Sequence, residues 1–595
     1  MGAIHYYEKE RVFKLDTPHT SYLIGIVDEE KFLGHIYYGA KITDYDVRAL
    51  MRTGEAPFVP SQNNRDRSSF LDAFPMEYPG HGVGDYRESA ISVSDKNGNT
   101  AVQPLYREHK IYAGKPGLPG LPATFGSEEE CETLEIVLAD EVLDLTVTLY
   151  YTAFYDVDVI TRSVRVTNHA KEPVYLTKVF STALDLDAED YRMLTLHGSW
   201  ARERQIEYRQ IGYGKQSVGS CRGESSHQEH PFVALVSANA GQEQGRVYGF
   251  HFVYSGNFLA QVEKNQFDSL RVVLGIHPQD FKWELKQDET FTAPEVVMTY
   301  SDAGLGRMTR TLHDLYRKHL IRSPYKDRER PVLINNWEAT YFDFDTEKLL
   351  AIAREAKKSG IEMLVMDDGW FGHRNDDNTS LGDWQVNEQK ITGGLKRLVD
   401  QVNEIGLKFG IWFEPEMISP DSELYRTHPD WAIALPGRMP CRSRNQYVLD
   451  LSRKEVRDYA YECVASILRS ANIAYVKWDM NRQLTDLGSG VLPVEKQGEL
   501  LHRYVLGVYE LQERLITEFP QLLLENCSGG GARFDPGMLY YSPQIWCSDD
   551  TDAIERLKIQ EGTALLYPLS AIGAHVSDCP NHTVGRVTPF ETRGN

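Results

Sequence analysis

The second half of the chain repeats one pattern, in which a short apolar run is followed by a segment of helical spacing. Helical segments include TEKLLAIAREAKKSG (346–360), which Thr346 and Gly360 could begin and end, and GGLKRLVDQVNEIG (393–406). The apolar runs are VLINNW, IEMLVMDDGW, LKFGIWFEPE, IAYVKWDM, LLLENCS, IWCSDD and LSAIGAHVS. Alternating strands and helices predict a parallel (β/α) TIM-type barrel over 331–595. Because such a barrel has eight strands, these seven runs predict one that is truncated before its last strand.

The chain before residue 305 has a different pattern, with short apolar or alternating runs separated by turn residues. Examples are YLIGIV (22–27), VITRSVRVTN (159–168) and PFVALVSA (231–238). Evenly spaced short strands predict an antiparallel β-sandwich domain over 1–304. The helical spacing of LGRMTRTLHDLYRKHLI predicts a connecting helix within 305–330. We therefore expect a multidomain protein, since 595 residues are too many for one core.

Composition excludes several classes of partner. Acidic residues outnumber basic ones by 86 to 64, and the formal net charge of −22 argues against binding to nucleic acid or to an anionic membrane. The seven cysteines are scattered without a CxxC pair, which favours a reducing compartment. The first residues, MGAIHYYEKERVF, contain no apolar h-region, and the sequence has no run of about 18 apolar residues. We expect a cytoplasmic protein that needs no cofactor or metal.

Polar residues follow the C-terminal ends of six predicted strands. They are Asn336-Trp337, Asp367-Asp368, Glu414 and Glu416, Lys477 and Asp479, Asn526-Cys527, and Ser548-Asp549-Asp550. In a β/α barrel these strand ends form one rim, and active sites lie on that rim. The chain has no phosphate-binding loop, no G-x-S-x-G motif and no H-E-x-x-H motif. A rim rich in carboxylates and indoles favours sugar chemistry.

The stretch YVKWDMNR (475–482) carries a lysine and an aspartate two residues apart. Lys477 and Asp479 share one face of the predicted strand, because successive side chains alternate between faces. The pair is either a surface ion pair of little energetic weight or a carboxylate that a cation keeps ionised for chemistry.

Glycoside hydrolysis uses two carboxyl groups in different protonation states. Asp479, beside a cation, suits the nucleophile. Asp549 suits the proton donor, because the nearby Asp550 and Asp552 would raise its pKa. We expect Asp552 itself to cap the following helix.

Other rim residues could bind a sugar. Asp367 and Asp368 can accept hydrogen bonds from neighbouring hydroxyl groups. Trp337, Trp370 and Trp412 could each face a sugar ring, although core packing explains each of them as well.

Several long motifs resemble glycoside hydrolase family 36, the bacterial α-galactosidases. They are DDGWFGHRNDD, WFEPEM, YVKWDMNR, ENCSGGGARFD and WCSDDTDAIERLKIQ, with EYPGHGVGDYR, LINNWEATYF and YPLSAIGAHVSDCPNH extending the resemblance through nearly the whole chain. The resemblance implies a retaining exo-hydrolase that removes terminal α-galactose from melibiose and raffinose-type α-1,6 oligosaccharides without a metal. It implies that Asp479 is the nucleophile and Asp549 the acid/base.

The resemblance also implies a galactose-binding set. That set consists of Asp367, Asp368, Trp412, Arg444, Lys477, Cys527 and Gly530. Cys547 stands beside the proton donor, where the family leads us to expect a small polar residue. The family barrel continues past residue 595 into a last strand and a C-terminal β-domain, which would make this chain a fragment of a longer protein.

The resemblance further implies a homo-tetramer in which an N-terminal loop reaches a neighbour's active site. NNRDRSSF (63–70) matches such a loop, with Arg67 as the contact residue. An ordinary surface loop is the alternative.

Other functions remain open. A galactosyl transferase or an α-N-acetylgalactosaminidase would use the same chemistry, although the resemblance implies that the loop 527–531 faces the 2-position of the sugar and leaves little room for an acetamido group. A non-catalytic sugar-binding protein would not need both Asp479 and Asp549. A metal-dependent hydrolase could use Asp367, Asp368 and His373, and a chelator would inhibit it.

Overall fold

The structure is a computed structural model that describes residues 2–43, 50, 58, 60 and 71–594. Antiparallel sheets form its first half. The strands are β1 (Ile4–Tyr7), β2 (Val12–Asp16), β3 (Thr20–Val27), β4 (Phe32–Ala40), β5 (Ile91–Ser94), β6 (Leu105–Ala113), β7 (Cys131–Asp140), β8 (Leu145–Phe154), β9 (Val159–Asn168), β10 (Val174–Asp187), β11 (Tyr191–His197), β12 (Gln205–Gln210), β13 (Gly214–Ser220), β14 (Phe232–Ser237), β15 (Val247–Phe252), β16 (Phe258–Lys264), β17 (Ser269–Ile276), β18 (Trp283–Leu285), β19 (Thr290–Thr292) and β20 (Val296–Ser301).

These strands form sheets of four, six and ten strands within the described residues. The ten-stranded sheet runs β12-β11-β14-β15-β20-β9-β8-β7-β6, with β19 beside β9. The six-stranded sheet runs β13-β16-β17-β10-β18, with β5 beside β10, and β1 to β4 pair in chain order. Alternation explains the central strands: in β7 the apolar Leu134, Ile136 and Leu138 are buried and face the core. The prediction of antiparallel sheets is confirmed.

A parallel sheet forms the second half. The remaining strands are β21 (Leu333–Asn335), β22 (Met363–Met366), β23 (Lys408–Phe413), β24 (Met417–Ile418), β25 (Tyr447–Val448), β26 (Tyr475–Trp478), β27 (Leu523–Asn526) and β28 (Gln544–Ile545). Six of them pair in parallel in the order β21-β22-β23-β26-β27-β28, and β24 pairs with β25. Because neighbouring strands are parallel, all their C-terminal ends lie on one side of the sheet.

Helices connect these strands. They are α1 (Gly304–His319), α2 (Trp337–Thr340), α3 (Thr346–Lys358), α4 (Leu395–Ile405), α5 (Glu423–Thr427), α6 (Lys454–Ser470), α7 (Leu500–Glu518), α8 (Pro536–Leu539), α9 (Ala553–Ala564) and α10 (Phe590–Gly594). In the part of the chain that the structure describes, no helix has both the length and the apolar character of a bilayer span.

One local expectation needs correction. The run LSAIGAHVS does not form a seventh strand: it begins as a turn of 3₁₀ helix at Leu569–Ala571, and Ile572 makes a single parallel bridge to Ile545. The helix α3 begins at Thr346 as expected, and Asp345 caps it, because the Asp345 carboxylate accepts a hydrogen bond from the Lys348 N–H at 2.9 Å. Asp552 likewise caps α9 as expected, accepting from the N–H groups of Ile554 and Glu555.

A buried hydrogen-bonded group joins the two halves. Tyr316 of the connecting helix α1 contacts His251 Nδ1 at 2.6 Å, and Tyr567, beyond α9, contacts His251 Nε2 at 3.0 Å. Burial lowers the pKa of His251 to about 3, so the ring stays neutral. The antiparallel half, the connecting helix and the parallel half thus meet around one satisfied histidine.

A buried network of four charges lies inside the antiparallel half. Arg271 bonds to both carboxylate oxygens of Asp185 at 2.7 Å and to Asp85 at 2.8 Å. Arg87 bonds to the same two aspartates, at 2.8 and 3.1 Å. Burial works against ionised Asp185, but Arg271 and Arg87 outweigh it and lower the pKa of this carboxyl.

We expect Asp185→Ala to reduce the free energy of unfolding by about 3–5 kcal/mol, because it leaves buried guanidinium groups without their partner. Since the pKa of Asp185 is lower when folded, its contribution is present above the unfolded-state pKa and is lost as the pH falls through the folded-state pKa. Denaturant unfolding at several pH values measures both effects. Glu189→Ala, which breaks the exposed pair with Arg246, is the control and should cost about 1 kcal/mol or less.

Candidate active site

A large cavity of about 1720 Å³ reaches the C-terminal ends of the parallel strands. Its lining includes most of the site residues predicted from the sequence, namely Trp337, Asp367, Asp368, Trp412, Arg444, Lys477, Asp479 and Asp549. Cys527 and Gly530 are not among the lining residues, whereas their neighbours Ser528 and Gly529 are. Arg67 lies outside the described residues.

Asp479 follows β26 and is held by four hydrogen bonds. Its Oδ2 accepts from Trp412 Nε1 at 3.1 Å and from Asn481 Nδ2 at 2.9 Å. Its Oδ1 accepts from the backbone N–H groups of Met480 at 2.9 Å and Gly529 at 3.2 Å. Only 5% of the residue is exposed, so these donors replace water and fix the carboxylate in one orientation.

Nearby cations keep Asp479 ionised. Burial alone would raise its pKa, but Lys477 and Arg444, together with the hydrogen bonds from Asn481 and Trp412, lower it. The direct ion-pair partner of Lys477 is Asp367, at 3.1 Å, so Lys477 acts on Asp479 through its field rather than through a hydrogen bond. The two-residue spacing alone did not reveal this partner.

We expect Lys477→Ala to reduce kcat/KM by about 10²-fold or more, as happens when one charged or polar stabilising group is removed from an active site. It should also shift the acidic limb of the pH–kcat/KM profile to higher pH, because the pKa of Asp479 rises without the ammonium group. Lys477→Arg is the matched control, since it keeps the charge and should leave the acidic limb in place. An unshifted limb in the alanine variant would contradict this role.

Asp367 and Asp368 follow β22 and have different partners. Asp367 Oδ2 accepts from Asn335 Nδ2 at 2.6 Å as well as from Lys477. Asp368 forms a bidentate pair with Arg374, at 3.0 and 2.9 Å. Burial raises the pKa of Asp368 in spite of this pair. Among the described residues, no three metal-binding side chains cluster here or elsewhere.

Asp549 follows β28 and is held by two indoles. Trp546 Nε1 donates to its Oδ1 at 3.1 Å, and Trp200 Nε1 donates to its Oδ2 at 3.0 Å. Asp550 and Asp552 were expected to crowd the Asp549 carboxylate. Their own carboxylates instead accept hydrogen bonds from backbone N–H groups at the start of α9. Cys547 does not contact the Asp549 carboxylate: its Sγ lies 3.6 Å from an Arg204 nitrogen and 3.5 Å from the Thr563 hydroxyl.

The antiparallel half contributes to the site through the segment between β11 and β14. Trp200 belongs to this segment, as does His227, whose Nε2 lies 2.7 Å from the Gly529 carbonyl oxygen. Arg204 donates to the Gly531 carbonyl at 2.8 Å. These residues could not be predicted from the sequence, because Trp200 is separated from Asp549 by 349 positions and lies in no recognisable local motif.

The glycine loop after β27 brings backbone groups close to both carboxylates. Gly529 and Gly530 have φ values of +51° and +90°, a backbone conformation that residues other than glycine rarely adopt. A Cβ at Gly530 would lie 2.9 Å from the Asp549 backbone nitrogen and 2.8 Å from Glu203 Oε1. Gly530 therefore permits the close approach of this loop to the segment after β28, and Gly529 supplies the N–H that contacts Asp479.

The three candidate tryptophans differ in role. Trp370 is fully buried and donates to the Trp412 carbonyl at 3.0 Å, so it belongs to the core. Trp412 is 1% exposed and reaches the cavity with its indole N–H edge, while its ring stacks on Phe371. Trp337 is only partly buried and lines the cavity.

Comparison with known proteins agrees with this site. The family model for the glycosyl hydrolase family 36 N-terminal domain matches residues 31–286, and the Melibiase model matches residues 290–595. The chain belongs to glycoside hydrolase family 36, and its activity is that of an α-galactosidase.

Similar proteins match over the whole chain. Alpha-galactosidase AgaA of Geobacillus stearothermophilus is 52% identical over 100% of this chain and 81% of its own length. Alpha-galactosidase Mel36A of Lactobacillus acidophilus is 48% identical with the same coverage. Among solved structures, the family 36 α-galactosidase AgaB of Geobacillus stearothermophilus superposes with a TM-score of 0.97, at 52% identity over 100% of this chain and 81% of that one. Substituted AgaA variants are known in complex with raffinose and with stachyose, each with a TM-score of 0.96, 52% identity, and coverage of 98% of this chain and 81% of that one.

Proposed function

We propose that this α-galactosidase hydrolyses terminal non-reducing α-D-galactose by a retaining double displacement. The observation that carries the proposal is the contrast between its two carboxyl groups. Asp479 is buried, held by four donors and has a lowered pKa, whereas Asp549 is less buried and accepts hydrogen bonds from two indoles. Retaining glycosidases need such a pair, with one group ionised and the other able to carry a proton.

In the first step, an Asp479 oxygen attacks the anomeric carbon, and the bond to the leaving oxygen breaks. Asp549 donates its proton to that oxygen, and a β-galactosyl ester of Asp479 remains. In the second step, Asp549 accepts a proton from water, and the water oxygen attacks the anomeric carbon. The ester bond breaks, α-galactose leaves, and both carboxyl groups return to their starting states.

The polar lining of the cavity supports roles in binding galactose. Asp367, Asp368, Lys477 and Arg444 can bond to ring hydroxyls, and Trp337 presents a partly exposed indole. We propose that Cys527 and Gly530 act indirectly, by shaping the loop that carries Gly529.

The relatives' complexes with raffinose and stachyose support α-galactosyl oligosaccharides as the substrate class, with melibiose as the shortest member. We also expect the carboxyl groups of Asp479 and Asp549 to have the spacing of retaining enzymes, in which the two groups lie roughly 5–5.5 Å apart. Inverting enzymes have a wider spacing, which leaves room for a water between the two groups.

Proton NMR of the sugar that forms first tests the mechanism. We expect α-galactose to appear before mutarotation produces the β anomer, because two inversions restore the configuration. Initial release of β-galactose would show an inverting mechanism and would remove Asp479 from the role of nucleophile. p-Nitrophenyl α-glucoside and α-N-acetylgalactosaminide serve as controls and should be poor substrates.

Larger-scale features are also proposed. We divide the chain into a β-sandwich over 1–304, a connecting helix over 305–330 and a catalytic β/α barrel over 331–595, which the six parallel strands support. Seven unpaired cysteines support a reducing, cytoplasmic location. We retain the homo-tetramer, with Arg67 reaching a neighbouring site, as a hypothesis.

A further inference from the structure

Glu414 is a buried carboxyl group that takes no part in the mechanism above. It follows β23 and is fully buried. Its Oε1 accepts from Gln446 Nε2 at 2.6 Å and from the Asn481 backbone N–H at 2.5 Å, and its Oε2 accepts from Asn481 Nδ2 at 2.9 Å. The same Asn481 Nδ2 donates to Asp479 Oδ2. One amide group therefore links Glu414 to the proposed nucleophile.

Two buried carboxylates that share one amide repel each other, so the pair favours a single negative charge. Burial and the charge of Asp479 raise the pKa of Glu414 to about 7, although Arg444 and Arg374 act in the opposite direction. Arg374 is itself paired with Asp368 after the neighbouring strand β22. Because the pKa of Asp479 is lowered, the proton of the pair belongs to Glu414.

Gln446 is suited to both protonation states of Glu414. Its Nε2 donates to Glu414, while its Oε1 is buried and has no hydrogen-bond partner among the described residues. Rotation of the amide by half a turn exchanges these atoms. The oxygen then accepts the proton of neutral Glu414, and the nitrogen donates to the ionised form.

We propose that Glu414 is a positioning residue that orients Asp479 through Asn481 and releases a proton to solvent when Asp479 becomes esterified. The inference rests on the retaining mechanism proposed above. Ester formation removes the charge of Asp479 and with it the repulsion that kept Glu414 protonated. The O–H bond of Glu414 breaks, and the pair keeps one negative charge. Hydrolysis restores the charge of Asp479, and Glu414 takes a proton back from solvent.

A fluorosugar that traps the covalent intermediate tests this coupling. The Asp549→Ala variant is the starting protein, because Asp549 could also release a proton and because fluoride departs without an acid. Trapping breaks the C–F bond and forms the Asp479 ester, so neither event releases a proton by itself. An indicator dye in weak buffer near pH 6 reports protons, and mass spectrometry counts esterified sites.

We expect close to one proton for each trapped site in Asp549→Ala and almost none in Asp549→Ala/Glu414→Gln. Equal release from the two proteins, or none from the first, would overturn the proposal. If no ester forms, the proposed nucleophile fails rather than the role of Glu414. Asp535→Asn in the same background is the control, because Asp535 is another buried carboxyl with a raised pKa but bonds to Ser225 and Ser255 instead of Asp479. It should leave the proton count unchanged.

Two further measurements test the proposal without the double variant, and the first of them leaves Glu414 in place. Infrared difference spectra of Asp549→Ala, labelled with ¹³C in glutamate, should show loss of a protonated glutamate carboxyl on trapping. An unchanged glutamate band would overturn the proposal. In the otherwise native enzyme, Glu414→Gln should lower kcat about tenfold and flatten the pH dependence near neutrality, whereas a purely structural role would lower activity equally at every pH.

Discussion

Asp479→Ala is expected to abolish hydrolysis, with kcat reduced by about 10⁴-fold or more, because no covalent intermediate can form. The loss should be similar for p-nitrophenyl α-galactoside and for raffinose, since both need the same nucleophile. Initial-rate measurements on both substrates test this. Asp550→Asn serves as the control for a carboxyl near the rim, because the new side chain can still accept the hydrogen bond from the Asp552 N–H.

Added azide identifies the role that was lost. In Asp479→Ala, azide can occupy the space of the missing carboxylate and attack the anomeric carbon directly. One inversion then yields β-galactosyl azide, provided that Asp549 still protonates the leaving group. Formation of the α-azide would mean that the roles of Asp479 and Asp549 are reversed.

Asp549→Ala is expected to reduce kcat/KM for raffinose by about 10²–10⁴-fold, the usual contribution of general acid catalysis. Activity on p-nitrophenyl α-galactoside should fall less in the first step, because nitrophenolate leaves without a proton. Here azide should attack the ester of Asp479, and two inversions give α-galactosyl azide. An equal loss of activity on both substrates, without azide rescue, would argue against an acid/base role.

Strand patterns in the sequence were sufficient to indicate where the carboxyl groups lie. A parallel sheet places every C-terminal strand end on one side, so Asp367, Asp479 and Asp549 could be brought together without knowing any distance. Asp552 was recognisable as a cap because capping depends on residues close in the chain. The antiparallel half was predictable for the same reason, since period-two burial is a local property.

Contacts between distant loops were not predictable. The spacing of Lys477 and Asp479 showed a common face, but it could not show that the lysine bonds to Asp367 on another strand. The resemblance implied that Cys527 and Gly530 contact galactose, and it could not indicate that Ser528 and Gly529 of the same turn line the cavity. The seventh apolar run had the composition of a strand, yet it formed only one bridge, because pairing depends on the neighbouring backbone and not on hydropathy alone.

The indole of Trp200 makes catalysis in the parallel half depend on the antiparallel half. This exposed side chain of the antiparallel half orients Asp549 of the parallel half. His227 and Arg204, also of the antiparallel half, contact the glycine loop after β27. A change that disrupts this contact removes one of the two indoles that donate to Asp549. We therefore expect activity on oligosaccharides to fall, on heating, no later than this contact between the two halves is lost.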